Sequence, residues 1–195
     1  IASPSLIQSA ARRIATCREE KMHVVCVVSA MGDTTDRLTF LAQEITQNPP
    51  RREMDVFLSA VELQSMALLS MALTELGIPA ISFTGQQGGI VTDDRHAEAR
   101  ILRVDPDRVV EALAHDQVVV LAGLQGTDEQ QEITTLGRGG SDTSAVAMAA
   151  ALGAQRCEIL TDVTGVFTAD PRIVPDAGQN AVLSYDEMPA MAKQG

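Results

Sequence analysis

Basic residues are scarce in this sequence: 15 Lys and Arg stand against 26 Asp and Glu, giving a formal net charge of −11. That balance opposes the attraction to phosphate backbones on which sequence-independent nucleic-acid binding depends, so nucleic acid is not an expected partner. Cysteines are few and odd in number. Cys17, Cys26 and Cys157 lie far apart in apolar or helical sequence without a CxxC spacing, which argues against a disulfide framework and for a reducing, cytosolic compartment. Long apolar runs are missing too. Residues 24–28 (VVCVV) and 118–122 (VVVLA) fall far short of the ~20 residues of a membrane helix, and polar sequence flanks both, so no membrane span is expected. No repeat, low-complexity tract or interdomain linker interrupts the chain. The first 20 residues contain Arg and Ser and are amphipathic, as a transit peptide would be, but they also read as a capped helix of the domain, which is the expectation retained.

What is present is enough apolar sequence for one substantial core: 195 residues, 45% of them hydrophobic. Ser3 and Pro4 form an N-cap and first-turn pair, after which Leu6, Ile7, Ala10, Ala11 and Ile14 share one helical face. Residues 23–30 (HVVCVVSA) are β-branched with almost no alternation, as in a strand covered on both faces. A turn cluster, MGDTTD, leads into a helix marked by Leu38, Leu41 and Ile45. Residues 55–76 predict a long helix or helix pair stopped by Gly77 and Pro79. Strands are expected at 79–84, 117–122 and 158–161, a short hairpin within 90–104, a helix capped by Asp105 and Pro106, and an Ala-rich helix over 142–152 closed by Gly153. The alternation of strands and helices predicts a three-layer α/β/α sandwich with a mostly parallel central sheet.

Four segments carry chemistry. In TTLGRGGSDTSA (134–145), Gly137, Gly139 and Gly140 let backbone approach a ligand, Arg138 supplies a planar bidentate donor, and Ser141 and Asp142 lie where a helix start exposes free N–H groups. An ordinary tight turn with an N-cap Asp reads the same way. In TDVTGVFTADPRIVP (161–175), at the carboxyl end of an expected strand, Thr161 and Asp162 suit ribose or adenine, Phe167 a shielding ring and Arg172 a phosphate, although a plain turn at Asp170-Pro171 also fits. SAMGDTTD (29–36) joins a strand end to a helix and also suits a simple turn with a Thr N-cap. Glu62 is a single carboxylate in an apolar helical stretch, a place for a ligand only if a cationic amine meets it.

Taken in order, SAMGDTTD, REMD with LSAVE, SFTGQQGG, AGLQG, TTLGRGGSDTSAVA and TDVTGVFTADPRIVPDA resemble the successive motifs of aspartate kinases, in the amino-acid-kinase (carbamate-kinase-like) fold. The resemblance runs through essentially all 195 residues. It implies that Thr35, Glu62, Thr135, Arg138, Gly139, Gly140 and Ser141 line an aspartate pocket, with Arg138 and Asp142 in catalytic roles. It further implies that Thr161, Asp162, Phe167, Thr168, Ala169, Asp170, Pro171 and Arg172 form an ATP site, with Mg²⁺ entering on the nucleotide and no metal held by the protein alone. The implied reaction is phosphorylation of the L-aspartate β-carboxylate, the first step toward lysine, threonine and methionine, in a cytoplasmic enzyme that is a homo-oligomer, expected as a dimer.

The resemblance also implies elements outside residues 1–195: a leading Lys-Phe-Gly-Gly strand, a second phosphate-binding lysine beyond the helix at 184–194, and regulatory ACT domains. The expectation is therefore one incomplete catalytic domain, nearly inactive by itself. Three positions depart from the pattern. Val61 stands where glycine usually precedes the amine-binding glutamate, Leu124 replaces a phenylalanine, and Phe167 replaces a tyrosine. A glutamate kinase-like carboxylate kinase and a non-catalytic regulatory homologue are the alternatives.

Overall fold

Ser3 adopts an extended backbone and its hydroxyl accepts from the Leu6 N–H, so α1 (Pro4–Glu19) starts where the Ser-Pro pair places it and buries Ile7, Ala11 and Ile14. The computed structural model describes residues 2–161, 165–169, 173–184 and 187, and divides into two compact units, Ile1–Cys157 and Glu158–Gly195. In the first, α1 is followed by β1 (Val25–Val28), α2 (Thr34–Ile45), α3 (Arg51–Glu75), β2 (Ala80–Phe83), β3 (Ile90–Thr92), β4 (Ile101–Val104), α4 (Asp107–Ala114), β5 (Val118–Ala122), β6 (Gln125–Thr127), β7 (Ile133–Thr135) and α5 (Gly140–Ala151).

The expected helix stop at Gly77 is a Schellman motif. Gly77 takes φ +75°, its N–H donates to the Thr74 carbonyl, and the Ile78 N–H reaches back to Leu73. Strands β1, β5 and β2 then form a parallel sheet with β5 in the middle. Every residue of β5 is buried, and its alternation splits the core in two. Val118 and Val120 pack with Ile7, Ala11, Ile14, Leu69 and Leu73 of α1 and α3. Val119 and Leu121 pack on the other face with Val109, Ala112 and Met148 of α4 and α5. Each such side chain contributes ~1.5–3 kcal/mol by leaving water. These are the three expected layers, with a parallel sheet at the centre.

A second sheet, ordered β4-β3-β6-β7, was not legible in the sequence. β3 and β4 make the expected hairpin, but β6 and β7 form another between the strand expected at 117–122 and the helix expected over 142–152, where no strand is expected. The Asp128 carboxylate accepts from the Gln130 and Glu132 N–H groups, closing that turn. Thr92 and Thr134 pair through their hydroxyls at 2.6 Å in the buried face. These strands look like loop in sequence because their buried side chains satisfy one another instead of meeting an apolar core.

Three expectations need correction. Residues 158–161 form no strand: a strand exists only through a hydrogen-bonded neighbour, and local β-propensity supplies just one half of it. The cap of α2 is Asp33 rather than a threonine, and its side chain makes no cap bond; Thr34 instead donates to the Met31 carbonyl at 2.5 Å. Asp105 does not cap α4, because its carboxylate holds the Arg103 guanidinium. No correction attaches to α3, although it is long and apolar enough to cross a membrane by length and composition alone. Its buried Asp55, Ser59, Glu62 and Ser65, together with Leu69 and Leu73 in the core against β5, make it a core helix.

In the second unit, Phe167 pairs with Gln179 in an antiparallel bridge, and Thr168 and Asn180 donate their N–H groups to Gly178 and Val166. Ser184 and Glu187 form a reciprocal capping box: the Ser184 N–H donates to the Glu187 carboxylate, and the Glu187 N–H donates to the Ser184 hydroxyl.

Candidate active site

In the first unit the start of α5 lies against the carboxyl ends of β1, β5 and β7, bringing Gly140 and Ser141 beside Gly123, Leu124 and Leu136. Gly123, just past β5, donates its N–H to the Val28 carbonyl at the end of β1. A Cβ there would lie 2.8 Å from the Ser141 side chain and 2.9 Å from that carbonyl, so only glycine lets α5 seat against the sheet end. Gly140 fits just as closely, between Leu124 and Leu136. Leu124 takes φ +67° to turn from β5 into β6, and its carbonyl accepts from the Leu136 N–H at 2.8 Å. A non-glycine residue in this region is strained, and such strain tends to collect at working sites.

The glycine-rich turn places Arg138 at an exposed apex. Gly137 and Gly139 both take φ +75°, which brackets the arginine with two left-handed residues. Its guanidinium pairs with no carboxylate among the described residues. Helix α5 begins at Gly140 with Gly139 as cap, two residues before the expected start, and no side chain occupies the cap. Ser141 is half-buried and Asp142 exposed in the first turn, where the helix dipole favours negative charge.

Glu62 is the most unusual group in this region. Only 1% of it is exposed, and its Oε2 has no hydrogen-bond partner among the described residues. Burial pushes its carboxyl up to about 7, although the backbone N–H groups of Glu62 itself and of Ala30, just beyond β1, work against that rise. A buried carboxyl with a spare oxygen is suited to a cation that arrives and completes it. Thr35 lies half-buried in the first turn of α2, and its carbonyl accepts from the Thr39 hydroxyl. Thr135 is buried at the end of β7.

Val61, beside Glu62, is 1% exposed and therefore an integral core residue. Val61→Gly is expected to lower the unfolding free energy by ~2–4 kcal/mol, from the lost packing and the cost of glycine inside a helix, as read by chemical denaturation. A change below ~1 kcal/mol would show that the site relaxes around the smaller residue.

Sequence reasoning missed Asp55 and Gln125. Asp55 is fully buried and accepts from the Thr135 hydroxyl at 2.5 Å, from His96 Nδ1 at 2.7 Å and from the Ala97 N–H at 3.1 Å. Gln125 donates to the Ser59 carbonyl at 2.9 Å, tying β6 to α3. A signal existed: Asp55, Ser59 and Glu62 recur at helical spacing on one face of an otherwise apolar helix.

Of the residues expected to hold ATP, Thr161 is exposed, Phe167 half-buried, and Thr168 and Ala169 exposed. The Thr168 hydroxyl accepts from the Gly178 N–H at 3.1 Å, so it already serves the hairpin of the second unit. Asp162, Asp170, Pro171 and Arg172 lie outside the described residues. Among the described residues, no group of three or more His, Cys, Asp or Glu side chains is arranged to hold a metal ion.

The chain is similar to known proteins along its whole length. The amino acid kinase family model matches residues 1–195. The aspartokinase of Bacillus sp. (strain MGA3) is 51% identical over 195 residues, taking in 100% of this chain and 47% of that protein. The chain thus spans about half the length of the curated relatives it matches. Among solved structures, aspartate kinase from Synechocystis is similar with a TM-score of 0.84 at 48% identity, over 99% of this chain and 32% of that one. Aspartokinase III of E. coli in complex with aspartate and ADP (R-state) aligns with a TM-score of 0.71 at 31% identity, over 81% of this chain and 36% of that one. With a matching family model over its whole length and the three-layer fold in place, the chain belongs to the amino acid kinase family.

Proposed function

We propose that the protein to which this chain belongs is an aspartate kinase, transferring the γ-phosphoryl group of ATP to the β-carboxylate of L-aspartate. The observation that carries this reading is the buried Glu62 carboxyl with its unpartnered oxygen; a glycine-bracketed, exposed arginine, Arg138, supplies the second group the reading needs. An amino acid bears the two complementary groups, an ammonium for Glu62 and a carboxylate for the Arg138 fork. The similarity to aspartokinases, one of them described with aspartate and ADP, supports aspartate as the acceptor.

In the reaction, one oxygen of the β-carboxylate attacks the γ-phosphorus in line, the bond to the β–γ bridging oxygen breaks, and ADP leaves with that electron pair. The product is an acyl phosphate. Little covalent work falls to the protein, so positioning and charge carry the catalysis. Glu62 fixes the ammonium end of the substrate, and Arg138 holds carboxylate in a bidentate grip that lowers the repulsion between two approaching anions. Thr35, Thr135, Gly139, Gly140 and Ser141 line the same pocket, while Asp142 orients the reacting groups. Thr161, Asp162 and residues 167–172 hold ATP. Mg²⁺ would enter on the nucleotide, where it would neutralise phosphate charge.

The reading extends to a single catalytic domain comprising residues 1–195, in a cytoplasmic homodimer at the head of lysine, threonine and methionine synthesis. Its test is an ATP- and Mg²⁺-dependent hydroxamate assay on the protein expressed from its complete open reading frame, with aspartate and glutamate as competing acceptors. Aspartyl hydroxamate formed at least ~100-fold more efficiently than glutamyl is the expected result. Preference for glutamate, or no product, overturns it.

A further inference from the structure

Asp55 joins three stretches of chain that are distant in sequence. It lies on α3, its partner Thr135 ends β7 80 residues later, and His96 and Ala97 belong to the turn between β3 and β4. Both carboxylate oxygens are used: Oδ1 accepts from Thr135 and Ala97, and Oδ2 from His96 and Ala97. The side chain is fully buried. The Thr135 hydroxyl donates to Asp55 Oδ1, so its proton is committed there and its own lone pairs are left for another partner. His96 must likewise carry its proton on Nδ1.

The same clamp holds a strained backbone. Ala97 takes φ +71°, a left-handed conformation unusual for alanine, and its N–H is the group that Asp55 grips with both oxygens. From there the turn is passed on to the glycine-rich loop. Ala99 donates its N–H to the Thr135 carbonyl at 2.9 Å, and the Ala97 carbonyl lies 3.0 Å from where a Cβ on Gly137 would stand. Gly137 is the residue before Arg138. An unbroken line of contacts therefore leads from the Asp55 carboxylate to the turn that carries the arginine.

We propose that Asp55 is a positioning residue for the acceptor site: by fixing the proton of Thr135 and the left-handed Ala97, it makes the Thr135 hydroxyl an acceptor facing a cationic group and sets the placement of Arg138. This rests on the aspartate kinase reading only for the identity of the acceptor. An Asp55→Asn side chain keeps the shape but offers one oxygen and a competing N–H₂ donor, so it cannot accept from all three partners.

The test is steady-state kinetics and amide exchange on the full-length protein. Asp55→Asn is expected to reduce kcat/KM for the amino-acid acceptor by ~30-fold or more while the KM for ATP stays within ~3-fold. Thr135→Val added to it should cost no more than a further ~2-fold, because both changes remove one interaction. A purely structural role would instead show as a lower melting temperature with both KM values unchanged in the surviving enzyme, and that result overturns the proposal. If glutamate proves to be the acceptor, the aspartate reading fails while the same split, measured with glutamate, still decides the role of Asp55. Amide exchange decides it without turnover. The Ala97 N–H and residues 137–140 should exchange at least ~10-fold faster in Asp55→Asn than in the wild type, and equal rates overturn it.

Discussion

Arg138→Ala should reduce aspartyl-phosphate formation by the full-length protein by ~10³-fold or more in kcat/KM, with its melting temperature unchanged. Both halves of that expectation come from the turn. The side chain is exposed and pairs with no described carboxylate, so the fold does not depend on it. Its backbone, by contrast, is tightly specified, with glycines at φ +75° on each side. The proposed reaction would bring a carboxylate against a triphosphate, and a fixed planar cation is the component that would make this approach feasible. Arg138→Lys is expected to recover no more than ~10-fold, since an ammonium is a point charge and cannot reproduce two parallel N–H donors. A variant lacking Arg138 that kept a tenth of wild-type activity would remove the residue from the site.

The second large effect concerns Glu62, where function and stability should move in opposite directions. Glu62→Gln is expected to raise the KM for aspartate by ~100-fold or more, because a neutral amide cannot match a buried ammonium. It should also stabilise the unliganded protein above neutral pH. The native carboxyl holds its proton up to about 7, whereas the unfolded chain releases it near 4.5, so the native state carries more protons between those values. Stability of the wild type therefore falls as pH climbs through that window and is flat above it. At ~1.4 kcal/mol per pH unit, the loss is about 3 kcal/mol at most. Glutamine has no proton to lose and should show no such decline. Denaturation at pH 4.5 and pH 8 measures the difference directly, and parallel curves for the two proteins would mean that Glu62 is solvated or already paired.

Aspartate itself should reverse the wild-type trend. Once an ammonium lies against Glu62, the ionised form is favoured, and the ligand's stabilising effect grows as pH rises to about 7. This is a property of a carboxyl reserved for a partner. A structural glutamate would have its oxygens satisfied within the fold, as those of Asp55 are.

Much of the architecture could be read locally. Ser3-Pro4, Gly77 with Pro79, and Gly153 mark helix ends because capping depends on a few adjacent residues. The unbroken apolar runs at β1 and β5 announce strands covered on both faces, and α1 and α3 on one face with α4 and α5 on the other deliver that cover. The glycines around Arg138 and the lone Glu62 were visible as candidates for the same reason: unusual residues stand out against a regular pattern.

The sequence alone determined the order of the main elements, the three-layer class, and the residue types that the proposed acceptor site would use. Tertiary structure decided the rest, because the deciding quantities are distances and burial between residues far apart in the chain. The β6–β7 hairpin is polar and gains its order from the Thr92–Thr134 pair and the Asp128 turn, neither of which has an apolar period to reveal it. The carboxyl of Glu62 is pushed up because the fold buries it, a condition its place in the chain does not reveal. Asp55 is an ordinary acid in sequence, and it becomes a clamp only when partners 41 and 80 residues away converge on its two oxygens.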